Sequence, residues 1–330
     1  MGTLAGPDCP AVTIAQTFDD FDAFTNAVED VDVRCITPRV HRPQWLLRGF
    51  QLPSGLRVQL ASMGSGNIAE GATPADGWSI FLQRPGIIRA NGSVLPLDSA
   101  FVIPPKAEFY LSISSVHSWI SIFVPSALLD EAGLGAQIGR PSTAHVVPTR
   151  RQTGDRLWRY VSRSVAELTN TSERTLSPVA ICTLEHAVLE ELRGSFGEVP
   201  EPRPTPIGRP RRVNRQVIMK AAEIIRATPE QRLSMSDLVR ISGVSQRSLR
   251  YGFNKFLGVS PRRYKMLVVL NAARQKFMSR GTGEITVTGV LSELGVWDHG
   301  RFAARYREVF GETPSSTLGN RQVNINSIRL

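Results

Sequence analysis

The stretch Leu294-Gly-Val-Trp-Asp-His-Gly-Arg-Phe-Ala-Ala-Arg-Tyr-Arg-Glu-Val-Phe-Gly-Glu-Thr-Pro314 sets the architecture of the rear of this 330-residue chain. Phe302, Tyr306 and Phe310 recur at helical spacing and mark an inward stripe over Asp298 to Phe310, while Arg301, Arg305 and Arg307 fall toward solvent. Val290, Leu291 and Leu294 make a short helix before it, and Gly295 turns the chain between the two. Two helices joined by a tight glycine turn, the second carrying basic outward positions, form a helix-turn-helix.

Working outward, the same grammar occurs about fifty residues earlier. Ser234 and Asp237 are spaced as a capping box opening a helix that ends at Gly243. Ser245 then caps Gln246 to Phe256, with Leu249, Phe253 and Phe256 inward. Between the units, Ser260 and Pro261 open a connecting helix that runs to Met278. At about 1.5 Å per residue it extends roughly 27 Å, near the ~34 Å between successive major grooves on one face of DNA. One monomer is thus expected to place two recognition helices in adjacent grooves. A further helix, Val217 to Ala227, precedes both units.

Over Val217 to Leu318 these residues resemble the AraC/XylS transcriptional regulators. The resemblance rests on Ser242-Gly243-Val244-Ser245 through Leu249 and Phe253, on Gly258-Val-Ser-Pro261, on Leu270-Asn271 and Arg274, and above all on the 294–314 string. It implies a transcription factor, usually an activator, that binds promoter DNA, works with RNA polymerase, and carries a front domain that senses a small molecule or forms a homodimer. The chain departs from the pattern at Val239 and Leu291, where the family has a small Ala, and at Val296, which replaces a Phe.

Charge divides the chain in the same place. Residues 1–208 hold 17 Lys/Arg against 21 Asp/Glu, and residues 209–330 hold 22 against 8. An acidic front joined to a strongly basic back fits two domains, the rear one with a polyanionic partner. Gly197 to Pro210 carries five prolines and little apolar content, which reads as a stiff linker. The expected organisation is a sensing or dimerisation domain over 1–196, a linker over 197–214, the tandem helix-turn-helix domain over 215–320 and a tail over 321–330.

In the front half, Phe18, Phe21, Phe24 and Val28 read as a short amphipathic helix among acids. From Trp45 to Phe123 short apolar runs alternate with turn signals, Asn91-Gly92 being the strongest hairpin signal, so a small cupin-like β-barrel or sandwich is expected. Trp78, Phe81, Phe101, Phe109 and Trp119 are candidates for a barrel core or an apolar pocket within it. Two amphipathic helices follow, one with Leu157, Tyr160, Val161, Val165 and Leu168 on its stripe, the other opening at Ser177-Pro178 with Ile181, Leu184, Val188, Leu189 and Leu192. Their stripes must bury against the chain's own barrel or a second subunit. The fold class is therefore α+β, with an all-α rear domain.

Other functions lack their residues. A cupin-type enzyme needs several His and a carboxylate converging from strands, and the barrel segment offers His117, with His41 just before it. No phosphate loop, dinucleotide fingerprint or Ser-His-Asp order is present, so no cofactor or enzymatic activity is expected. A nonspecific DNA-binding protein would not need arginines at reading positions. Cys9, Cys35 and Cys182 are scattered, with Cys182 expected in a helix core. The chain shows no membrane-length apolar run and its start lacks a secretion signal's layout, which makes a cytoplasmic protein the expectation.

Outward positions near the start of a recognition helix reach base edges, and Arg suits bidentate contact with guanine. The base-reading candidates are Arg247, Ser248, Arg250 and Tyr251 in the first unit and His299, Arg301 and Arg305 in the second. Lys255, Arg262, Arg263, Lys265 and Arg307 are the phosphate-contacting candidates, which position the protein and make affinity fall with salt. Trp297, just after the second turn, is a candidate to stack on a base or sugar, but residues so placed more often pack between helices, and that packing is the expectation.

Overall fold

The computed structural model describes residues 11–29, 31–84, 88–170, 176–196, 214–229, 233–279 and 285–319. Most of the expected linker, the expected tail and Cys9 lie outside them.

The described residues open with a strand where a helix was expected. Strand β1 (Val12–Phe18) pairs antiparallel with β3 (Val40–Gln51), setting Phe18 opposite Trp45. Helix α1 is confined to Phe21–Asn26, because the Asp20 carboxylate accepts the Ala23 N–H at 2.9 Å and fixes the helix start there. The phenylalanine spacing is the same to the eye in either case. The chain bends at the two aspartates and returns Phe24 edge-on to Phe18, 5.7 Å between centroids.

The remaining strands make two antiparallel sheets. One is ordered β1, β3, β4 (Arg57–Ser65), β11 (His117–Pro125), β6 (Gly77–Arg84), β9 (Ser99–Ile103), β12 (His145–Pro148). The other is ordered β2 (Asp32–Ile36), β5 (Asn67–Ala72), β10 (Glu108–Ile113), β7 (Ile88–Ala90), β8 (Ser93–Val94). Asn91 and Gly92 join β7 to β8 with φ of 48° and 83°, the pair of positive angles that a two-residue hairpin requires. Trp45, Met63, Phe81, Phe101, Phe109 and Trp119 form one buried cluster enclosed by strands of both sheets. Trp78 belongs to a different cluster, on the other face of the larger sheet.

That outer face carries the helices. The short α2 (Ser126–Glu131) and α3 (Gly135–Ile138) lead into α4 (Arg151–Asn170) and α5 (Pro178–Ser195), the latter capped by Ser177 with Pro178 at its first position. Leu157, Val161, Val165, Val188 and Leu192 are fully buried with Ile80 and Ile122 of the sheet. The two stripes are covered by the chain's own sheet. Cys182 is exposed, a correction to the helix-core reading: the buried apolar residues of α5 are in its second half, Val188, Leu189 and Leu192, and Cys182 in its first half is left uncovered.

The rear consists of α6 (Arg215–Ala227), α7 (Met235–Ser242), α8 (Gln246–Leu257), α9 (Pro261–Met278), α10 (Val287–Glu293) and α11 (His299–Phe310). Leu249, Phe253, Tyr264, Phe277, Tyr306 and Phe310 are at its centre, and the same cluster takes in Ile36, Ile68 and Tyr110 from the smaller sheet. Leu291 is buried there, and Val239 and Val296 pack against it, so the larger residues at these positions are accommodated. Polar contacts reinforce the junction. Asn271 accepts from the Thr37 N–H and donates to the Thr37 carbonyl, both at 3.2 Å, and Ser112 Oγ donates to the Leu257 carbonyl at 2.9 Å. Arg226 lies 2.5 Å from the Glu70 carboxylate and from the Tyr264 hydroxyl.

Candidate nucleic-acid interface

Each unit is built by its caps. Ser234 accepts the Asp237 N–H at 3.1 Å while the Asp237 carboxylate accepts the Ser234 N–H at 2.9 Å, a complete capping box at the start of α7. Gly243 ends α7 in the left-handed region, φ 68°, and Ser245 caps α8 by accepting from Ser248 N–H. Gly295, φ 66°, makes the second turn, and Asp298 caps α11 through Arg301 N–H at 2.9 Å. Between the units, Ser260 caps α9 and Pro261 occupies its first position.

These caps fix which side chains face outward. Leu249, Phe253 and Phe256 turn inward on α8, leaving Arg247, Arg250 and Tyr251 exposed and Ser248 half-buried. The smaller sheet holds α8 at its other end. Gly92 of the β7–β8 hairpin lies against Phe256, and Ser112 bonds the Leu257 carbonyl, so the N-terminal half of the helix stays open. On α11, His299 and Arg301 are exposed and Arg305 is half-buried.

The phosphate-contacting candidates divide. Arg262 and Arg307 are exposed, and so is Lys255, whose ammonium lies 5.5 Å from the Phe256 ring centre. Arg263 reaches Glu308 at 3.4 Å and the Pro38 carbonyl at 3.5 Å, and Lys265 donates to the Leu233 carbonyl at 2.7 Å. Partial burial pulls the Lys265 ammonium below the usual lysine range. These two hold elements of the fold together, and the freer cations are Lys255, Arg262 and Arg307.

A groove of about 680 Å³ runs between α9 and α11, with Arg262, Lys265, Arg301 and Arg305 on its walls. Trp297 lies in it and is 69% exposed, which overturns its expected place between helices. Sequence reading also missed Arg226 and Glu70, since nothing in the local pattern of either indicates a partner over 150 residues away.

Comparison with known proteins falls on the two capped helix pairs. The model of a helix-turn-helix domain family matches residues 238–320. These residues form a helix-turn-helix domain of the AraC type. The chain aligns with the probable thc operon regulatory protein of Rhodococcus erythropolis, 28% identical over 142 residues, 43% of this chain and 40% of the relative. It aligns also with XylDLEGF operon transcriptional activator 3 of Pseudomonas putida, 31% identical over 104 residues, 32% of this chain and 31% of that one. The alignments span less than half the length of either relative. Among solved structures, a probable AraC family transcriptional regulator from Rhodopseudomonas palustris is 29% identical and covers 32% of this chain and 97% of its own, with TM-score 0.30. The AraC-like transcriptional activator CuxR is 17% identical over 74% of this chain and 89% of its own, with TM-score 0.41.

The front half has a smaller cavity of about 70 Å³ between the sheets. Phe81, Phe109 and Trp119 line it with Cys35 and Asn67, whereas Phe101 and Trp78 do not. Asn67 is buried and its Oδ1 has no hydrogen-bond partner. His117 is also buried, its Nδ1 3.0 Å from the Ser115 carbonyl, and loss of solvation pushes its pKa down to about 4. Among the described residues no group of three or more His, Cys, Asp or Glu side chains gathers as a metal site would, and no helix is long and apolar enough to cross a membrane.

Proposed function

We propose that this protein is a transcriptional regulator, an activator, that binds double-stranded DNA sequence-specifically, with α8 and α11 reading two adjacent major grooves. The observation that carries the reading is the pair of capped helices, joined by the 18-residue α9, whose exposed first turns present Arg247 and Arg301. Arg247, Ser248, Arg250 and Tyr251 read bases in one groove, and His299, Arg301 and Arg305 in the other. Lys255, Arg262 and Arg307 hold phosphates, with Arg263 and Lys265 contributing charge behind them.

On this reading residues 1–196 are the sensing and dimerisation domain, 215–320 the DNA-binding domain, and the partners are promoter DNA, RNA polymerase, a second copy and a small effector. The cavity between the sheets favours an effector. It is apolar with one unsatisfied amide oxygen, a combination that suits a compact apolar molecule carrying a single hydrogen-bond donor. Val33 and Cys35 of β2 line it, and the same strand presents Ile36 to the rear core just before Thr37 meets Asn271. An occupant would therefore press on the strand that touches the DNA-binding helices. The protein acts in the cytoplasm and carries out no chemistry of its own.

Selection from a random DNA pool at about 150 mM salt tests this. The wild type is expected to enrich two boxes about one helical turn apart, with Arg247→Ala relaxing one and Arg301→Ala the other, each lost contact costing about 1–3 kcal/mol. If nothing is enriched, small apolar compounds must restore enrichment, and failure there would overturn the regulator reading.

A further inference from the structure

The two helix-turn-helix units differ by one residue. In the first, Gly243 turns the chain, Val244 packs on the rear core and Ser245 caps α8. In the second, Gly295 turns the chain, Val296 packs on the same core, and Trp297 follows before Asp298 caps α11. Trp297 is the added residue. Trp45, Trp78 and Trp119 are buried and Trp158 is half-buried, whereas Trp297 is 69% exposed.

Counting from each cap shows what the second unit lacks. Arg247, Arg250 and Tyr251 stand two, five and six residues after Ser245, and the matching positions after Asp298 hold Gly300, Ala303 and Ala304. None of these three side chains can donate a hydrogen bond. Nearby, the groove between α9 and α11 is lined by Trp297 together with Arg262, Lys265, Arg301 and Arg305. A large, mostly exposed apolar side chain on a groove lined by cations fits an occupant that is polyanionic and also presents apolar faces, as the sugar-phosphate backbone of DNA does.

Resting on the DNA-binding reading above, we propose that Trp297 is a DNA contact of the second unit. Its indole packs on a deoxyribose of the strand whose phosphate Arg262 holds, next to the bases that Arg301 and Arg305 read. Trp297 itself then anchors without reading, because a sugar is the same in every nucleotide.

The test uses the full chain, the duplex selected by the wild type and a duplex of random sequence. Trp297→Ala is expected to weaken binding to both by a similar factor, roughly tenfold, and to leave the salt slope unchanged, since a neutral contact releases no counterion. Trp297→Phe is expected to keep most of the affinity. DNA should also shield from acrylamide an emission component that Trp297→Phe removes, the other four tryptophans being buried or half-buried. If Trp297→Ala binds like the wild type while Arg247→Ala is weakened, the Trp297 contact is refuted and the DNA reading stands, which leaves the indole for a protein partner such as polymerase. If Trp297→Ala relaxes one box and leaves the rest, it reads bases, and the backbone assignment is overturned. If neither variant changes binding, the Trp297 contact is refuted and so is the assignment of α8 as a recognition helix, although the protein still binds DNA.

Discussion

Arg247 and Arg301 carry the same charge, yet their neighbours make different readers of them. Arg247 shares its open face with Arg250 and Tyr251, while Arg301 stands between Gly300 and small alanines. On the proposed reading, the first unit offers more side chains for hydrogen-bonded discrimination of bases than the second. A different residue contributes to how stability varies with pH. His117 is buried with its proton disfavoured, its pKa pushed from 6.5 down to about 4. Its folded value lies below its unfolded one, so its stabilisation is complete above about pH 6.5 and is lost as pH falls toward 4. The full effect is roughly 3 kcal/mol at most. Melting temperature measured against pH should drop across this window in the wild type, and a His117→Gln variant, which cannot gain the proton, should show a flatter profile even if it starts lower.

At the scale of elements, glycines at helix ends distinguish local strain from tertiary contact. Gly243 and Gly258 are both left-handed, φ 68° and 72°, but a Cβ on Gly243 would meet nothing, whereas one on Gly258 would run into Ser112 Oγ. Gly243→Ala is therefore expected to cost about 1 kcal/mol of strain alone. Gly258→Ala should cost clearly more, and part of the excess should return when Ser112→Ala is added, as urea titrations of the four chains would show. The same division explains what could be read in advance. The capping box of α7, the serine and aspartate caps, the glycine turns and the 3.6-residue stripes of α8 and α11 are local signals, and the helices lie where those residues put them. Phe18 was misread because helical spacing and a strand followed by a turn give the same one-dimensional pattern, and the choice is made by Trp45 across the sheet. Trp297 was misread for a related reason: aromatic residues beside turns are usually buried, and only the extra residue in the second turn, visible once both caps are located, sets it outside.

Across the whole molecule, the joint between the sheet and the rear helices decides whether the front half can influence DNA binding at all. Ile36, Ile68 and Tyr110 sit in one cluster with the rear core, and Asn271 closes both hydrogen-bonding groups of Thr37. The Arg226–Glu70 pair beside them is poised against burial, which holds the Glu70 carboxyl above the usual range although Arg226 and Arg34 pull it down. A joint of this kind transmits a change only while its buried polar groups remain paired. Asn271→Ala leaves the Thr37 N–H and carbonyl without that partner, at a cost of about 1–3 kcal/mol, while Asn271→Asp keeps an acceptor for the N–H but sets a carboxylate against the carbonyl. Both variants are expected to speed hydrogen exchange at Thr37 and to broaden or split a single melting transition into separate front and rear steps. Affinity of the rear domain for DNA should persist in both, since Arg247 and Arg301 are untouched. Any dependence of that affinity on an effector should be lost. If exchange at Thr37 and the shape of the melt stay as in the wild type, the apolar cluster alone holds the halves together, and the polar joint is not the route by which one half informs the other.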